Sequence, residues 1–133
     1  VPEPLLNEED HMKLLRIYTG PDGGSHFEEL DLPMSSVEFA PPAPPLDLSE
    51  FWGATRASIL RAPPGWEGDW HPAPKRQLMF HLAGEIEGET SDGERRTIGP
   101  GTVVLLEDTT GKGHRSRVVG NEPAVIGVVQ LED

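Results

Sequence analysis

The stretch from Gly65 to Gly84, GWEGDWHPAPKRQLMFHLAG, concentrates the side chains of this chain that are able to do chemistry. It holds His71 and His81, two of the five histidines, together with Gln77, Lys75, Arg76, Trp66 and Trp70. An imidazole titrates near pH 6.5, so it can take or return a proton at neutral pH. In its neutral form it also ligates transition metals. Trp66 and Trp70 flank Glu67, Gly68 and Asp69 just before His71. Their rings can stack on a planar or sugar-like ligand, or serve as an apolar lid or dimer contact. Arg56, Arg61 and Arg76 are candidate clamps for a carboxylate or phosphate if turned inward, and ordinary surface residues if not.

These side chains need elements to hold them. Fifteen glycines and fourteen prolines punctuate short apolar runs throughout the 133 residues, the rhythm of a β-rich domain with many turns. Strands are expected over 14–18, 27–32, 36–39, 55–62, 77–82, 85–90, 94–98, 102–106, 113–119 and 124–129. Pro21-Asp22-Gly23-Gly24 and Ser91-Asp92-Gly93 are turn signals. The run Pro41-Pro42-Ala43-Pro44-Pro45 reads as a rigid polyproline-like connection, and 48–52 as one helical turn. Strand alternation has a direct consequence for chemistry. If Gln77 points inward, Met79 and His81 do too. Glu85, Glu87 and Glu89 share one face in the same way, a solvated face able to pair with Arg95 or Arg96.

Composition narrows the functions. The chain suits one domain with one core. The absence of cysteine excludes disulfides, thiolate metal sites and cysteine nucleophiles, and fits a cytoplasmic location. No apolar run is long enough to cross a bilayer. A formal net charge of −12 repels phosphate backbones and anionic headgroups, so neither nucleic acid nor membrane is an expected partner. His11-Met12 resembles a cloning-site junction. Residues 1–11 are therefore expected to be a vector-derived or flexible leader, and 12–133 a single domain.

The spacing resembles that of the cupins, small antiparallel β-barrels of jelly-roll type. Their first motif runs glycine, five residues, His-x-His, three or four residues, Glu, six residues, glycine. Here Gly65, His71, Gln77 and Gly84 fall at those positions, with Ala73 where the second histidine belongs and Gln77 where the glutamate belongs. The second motif, glycine, five residues, Pro-x-Gly, two residues, His, is met by Gly101 and His114, with Glu107 in place of the proline and a loop two residues longer. The resemblance implies an all-β jelly-roll barrel, usually dimeric, with an interior site. It makes His71, Gln77 and His114 candidate ligands for one divalent metal (iron, manganese, nickel, zinc or copper), and alternation adds His81. The other reading is a metal-free pocket whose histidines bond to Gln77, water or ligand. Glu107 and Asp108 either orient the His114 ring or cap the turn.

Two functions follow as expectations. One is a small enzyme, with His71 and His114 as ligands or as an acid/base pair and with His81, Trp70, Arg76 and Met79 contacting substrate. With a metal it would be dioxygenase-like, and without one isomerase- or dehydratase-like. The other is a non-catalytic barrel that binds or senses a small molecule. A homodimer is expected in either case.

Overall fold

The computed structural model describes residues 11–133, with His11 described in its backbone alone. The leader expected over 1–11 lies outside the described residues except for His11, which opens the first strand opposite Pro33. Twelve strands and no helix make up the described chain. They are β1 (His11–Thr19), β2 (Ser25–Pro33), β3 (Ser35–Val37), β4 (Leu46–Leu48), β5 (Ala54–Ala62), β6 (Glu67–His71), β7 (Gln77–Ala83), β8 (Glu85–Thr90), β9 (Arg95–Ile98), β10 (Val103–Glu107), β11 (His114–Val119) and β12 (Ala124–Leu131). No helix is long and apolar enough to cross a membrane among these residues.

The strands form a six-stranded sheet in the order β2-β1-β10-β7-β12-β5 and a four-stranded sheet in the order β6-β11-β8-β9. A small β3–β4 hairpin stands apart. Alternation decides what fills the space between the sheets. Leu15, Ile17, Val104 and Leu106 of the first sheet meet Ile98 and Phe27 in one buried cluster. Ala62, Ala124 and Ile126 meet Ile86 and Val118 in a second. Each fully buried aliphatic side chain of this size contributes about 1.5–3 kcal/mol. The opposite face of the six-stranded sheet buries a third cluster, Leu78, Leu105 and Leu131, with Trp52 packed against it.

The expected all-β barrel is present, antiparallel in every described pairing but one, β1 running parallel to β10. Two expectations need correction. The proline run is a turn rather than a rod: Ala43 N–H donates to Ala40 O at 2.9 Å so that β4 can return along β3. Prolines fit that apex because no ladder donor is needed there. No helical turn forms over 48–52, where Leu48 ends β4 and Trp52 is drawn onto the outer apolar cluster.

The two sheets are joined unequally at their margins. On one side Ser25 N–H donates to Ser91 Oγ and Ser91 N–H to Ser25 Oγ, while the Arg96 guanidinium lies over the Phe27 ring. On the other side β5 and β6 are both edge strands, not paired with each other among the described residues and joined by the Pro63–Trp66 turn. Leu60 of β5 faces inward beside Ala62 yet stays 41% exposed, and Trp66 stays 40% exposed. The interior therefore opens to solvent along this seam.

Candidate functional site

His71 ends β6 and His114 begins β11, and the two are direct cross-strand partners. Their ring centroids lie 4.8 Å apart with planes tilted by 54°. Gly113 permits this approach. It has φ +76°, and a Cβ there would lie 2.0 Å from the His71 carbonyl oxygen. The motif glycines Gly65, Gly84 and Gly101 also have positive φ, so the resemblance in spacing reflects backbone turns as well as ligands.

Each imidazole is held through its Nδ1. His71 Nδ1–H donates to the Asp69 carbonyl at 2.7 Å, and His114 Nδ1–H donates to Asp108 Oδ2 at 2.7 Å. With Nδ1–H donating in this way, Nε2 carries the lone pair of the neutral ring. Asp108 is fully buried, its backbone carbonyl accepts the Ala73 N–H at 2.9 Å, and its Oδ1 has no partner. The expected choice between orienting His114 and capping the turn thus resolves differently for two neighbours. Asp108 orients the ring, whereas Glu107 turns the other way to receive Arg16 and Arg76. Those two guanidiniums outweigh its partial burial and hold the Glu107 carboxyl below its ordinary range.

On β7, Gln77, Met79 and His81 line the interior while Leu78 joins the cluster on the opposite face and Phe80 and Leu82 are exposed. Gln77 Oε1 accepts from Gln130 Nε2 at 3.3 Å. Burial drives the His81 imidazole down to about pKa 4. Together with His71 and His114 these residues line a cavity of about 560 Å³, whose remaining wall is mostly apolar, with Trp66 at its rim.

Two expected substrate contacts lie elsewhere. Trp70 precedes His71 on β6 and so faces away from it, beneath Arg115 at 4.9 Å and Lys112 at 5.2 Å. Arg76 is held by Glu107 and stacks on Trp52, outside the cavity. Trp66, weighed equally with Trp70, is the tryptophan that borders the interior. Ser116 also lines it and drew no attention in the sequence, because a lone serine carries no spacing signal.

The donor set does not fit a resident metal ion. Among the described residues no three His, Cys, Asp or Glu side chains cluster. Ala73, at the position of the second motif histidine, is buried in the apolar core. Gln77 and His81 are four residues apart on one strand, about 13 Å of rise, too far for both to close on one ion with His71 and His114. The His71 and His114 pair alone is a weak anchor without carboxylate charge. Protein purified without a histidine tag is expected to carry less than about a tenth of an equivalent of any transition metal by elemental analysis.

The buried His81 has a consequence for stability. The unfolded chain takes up its proton as pH falls through about 6.5, whereas the folded state resists until about 4. Its contribution is complete above the unfolded value and is lost as pH falls across that window, by up to about 3 kcal/mol. His26 acts in the opposite direction. Hydrogen bonds that its ring donates to the Asp22 and Asp92 carboxylates raise its pKa, so its contribution is present at low pH and lost as pH rises through the folded value. Urea denaturation of wild type and His81→Leu at pH 7 and pH 4.5 separates the two. The variant should lose less stability on acidification, with the His26 contribution common to both.

No family model and no curated protein matches the chain. Among solved structures, it is similar to a cupin 2 conserved barrel domain protein from Salinispora arenicola, with 20% identity, 76% of each chain covered and a TM-score of 0.48. It is similar to the cupin domain of Cnp3 from Schizosaccharomyces pombe, with 15% identity, 93% of this chain and 85% of that chain covered, and a TM-score of 0.49. Protein NMB1881 from Neisseria meningitidis has 16% identity, 64% and 89% coverage and a TM-score of 0.44.

Proposed function

We propose that the chain binds a small, largely apolar molecule inside the barrel, with the His71–His114 pair contacting a polar group of that molecule. The observation that carries this reading is the cavity of about 560 Å³, apolar over most of its wall, with a few polar groups at defined points. That combination is typical of ligand pockets: apolar burial supplies affinity and placed hydrogen bonds supply orientation. The open seam between β5 and β6 offers an entrance past Leu60 and Trp66. Thermal-shift screening of small apolar compounds tests it, followed by titration of Trp66 fluorescence. Binders should raise the melting temperature, and Trp66→Phe should abolish most of the fluorescence change. If no compound shifts melting at its solubility limit, the reading fails.

The Asp108–His114 arrangement favours a second reading, metal-free acid–base catalysis of the isomerase or dehydratase kind. His114 Nε2 would accept a proton from the substrate and the Asp108 carboxylate would support the resulting imidazolium; His71, entering the cycle protonated at Nε2, would give its proton to the product and regain one from the adjacent His114 imidazolium. Turnover of a compound found by the screen, lost in His114→Gln with binding retained, distinguishes it from binding alone.

This function is taken to be carried out by a homodimer in the cytoplasm. Ile59, Phe80 and Leu82 surround Gly127 on the outer face of β5, β12 and β7 and leave apolar surface uncovered. Sedimentation should give a dimer that Phe80→Glu dissociates, and a wild-type monomer at every concentration would remove this part. Cell fractionation tests the location.

A further inference from the structure

His81 is 7% exposed, and its imidazole has no hydrogen-bond partner among the described residues. Its ring nitrogens are not sealed off, because Asp108 Oδ1 is the one fully occluded side-chain polar atom without a partner among those residues. The imidazole therefore opens onto the cavity that it lines. Its backbone is pinned to the segment before β10: His81 N–H donates to Thr102 O at 3.0 Å, and His81 O accepts from Gly101 N–H at 2.9 Å. The surroundings are apolar, with Met79, Ile86 and Ile126 packed in one cluster beside it. A desolvated polar group left without a partner is costly, and native interiors keep few of them.

The position along the strand matters as much as the burial. His81 pairs with Ile126 and lies opposite the Thr102 end of β10. Gln77 pairs with Leu106 at the other end, next to the segment that carries Asp108. Four residues of strand, about 13 Å, separate them. Along β7 the cavity thus meets a polar side chain at each end with Met79 between them.

We propose that His81 is a second recognition point of the cavity, and that the ligand is an elongated, uncharged molecule with an apolar ring body and a hydroxyl group at the His81 end. This rests on the binding function proposed above and specifies its ligand. A neutral imidazole presents one donor and one acceptor, and a hydroxyl, itself donor and acceptor, can pair with whichever nitrogen faces the cavity. Burial keeps the ring neutral, so it offers no charge to an anion. The flexible thioether of Met79, between the two polar ends, suits contact with a flat ring.

The experiment compares 4-phenylphenol, biphenyl and biphenyl-4-carboxylate by titration of Trp66 fluorescence. Wild type should bind the phenol at least about tenfold more tightly than the hydrocarbon, with the carboxylate weakest. His81→Leu should bring the ratio of phenol to biphenyl affinity close to one, whatever it does to biphenyl binding itself, and His81→Gln, which keeps a donor and an acceptor, should retain part of the preference. Equal binding of phenol and hydrocarbon by wild type, an unchanged preference in His81→Leu, or tightest binding of the carboxylate would overturn the assignment of His81 while the cavity still binds apolar compounds. If none of the three binds to wild type, binding inside the barrel fails, and the role of His81 fails with it.

Discussion

Gly113→Ala is expected to destabilise the protein by about 3 kcal/mol or more and to separate the His71 and His114 rings. Two effects add. An alanine at φ +76° costs about 1–2 kcal/mol because its Cβ crowds the following carbonyl. That Cβ would also stand 2.0 Å from His71 O and 2.3 Å from Pro72 N, both backbone atoms that no rotamer change can move. Either β6 shifts away from β11 or the turn before His114 opens, and both lose the cross-strand contact of the two rings. Gly101→Ala is the control. It has φ +92° but nothing within 4 Å of the added Cβ, so it carries the dihedral cost alone. Urea denaturation of both variants should give a clear difference, and ring-to-ring magnetisation transfer between His71 and His114 should vanish in Gly113→Ala alone. Equal destabilisation of the two variants would refute the close-approach argument.

Period-two alternation makes much of the fold legible in the sequence. Gln77-Leu78-Met79-Phe80-His81 alternates strictly, and the structure turns its odd-numbered members to the cavity and Leu78 to the outer cluster. The hairpin at Ser91-Asp92-Gly93 was equally legible, since Gly93 has φ +96° and Asp92 caps the turn through Glu94 N–H. Strand β6 was not. Glu67-Gly68-Asp69-Trp70-His71 is too polar to show a buried face, because as an edge strand it buries almost nothing of its own. Its existence is decided by β11, whose backbone it completes. The parallel β1–β10 pairing was invisible for a related reason: partners distant in sequence leave no local trace.

The candidate site was legible in part. Motif spacing brought out His71 and His114, and the barrel makes them cross-strand neighbours. Spacing alone did not separate Gln77 from His81 in depth, and a ligand set drawn from both spans too much of one strand for a single ion. Trp70 and Arg76 have the right chemistry on the wrong face. Trp70 is one residue out of phase with His71, and Arg76 has its carboxylate partner in Glu107.

Asp108→Ala should be the most informative change at the His114 end, because it removes the side chain that fixes that ring. The buried His114 Nδ1–H would lose its acceptor at 2.7 Å, a penalty of about 1–3 kcal/mol, and the emptied space adds a cavity cost. One effect opposes these. Asp108 Oδ1 is itself buried without a partner, so its removal relieves a desolvated oxygen. The balance should remain destabilising, roughly 2 kcal/mol, since a buried charged hydrogen bond is broken from one side alone. Asp108→Asn keeps an acceptor for Nδ1–H and should lose about half as much. Nitrogen-15 shifts of the imidazole supply a readout that stability alone does not. Wild type and Asp108→Asn should hold the hydrogen on Nδ1 of neutral His114, leaving Nε2 as an acceptor toward the cavity, whereas Asp108→Ala should populate both tautomers. A wild-type tautomer in Asp108→Ala would mean that the cavity wall, and not this carboxylate, orients the ring. If the prediction holds, the buried acid costs stability in return for a lone pair aimed at the cavity, a directed polar contact made by the chain's own side chains.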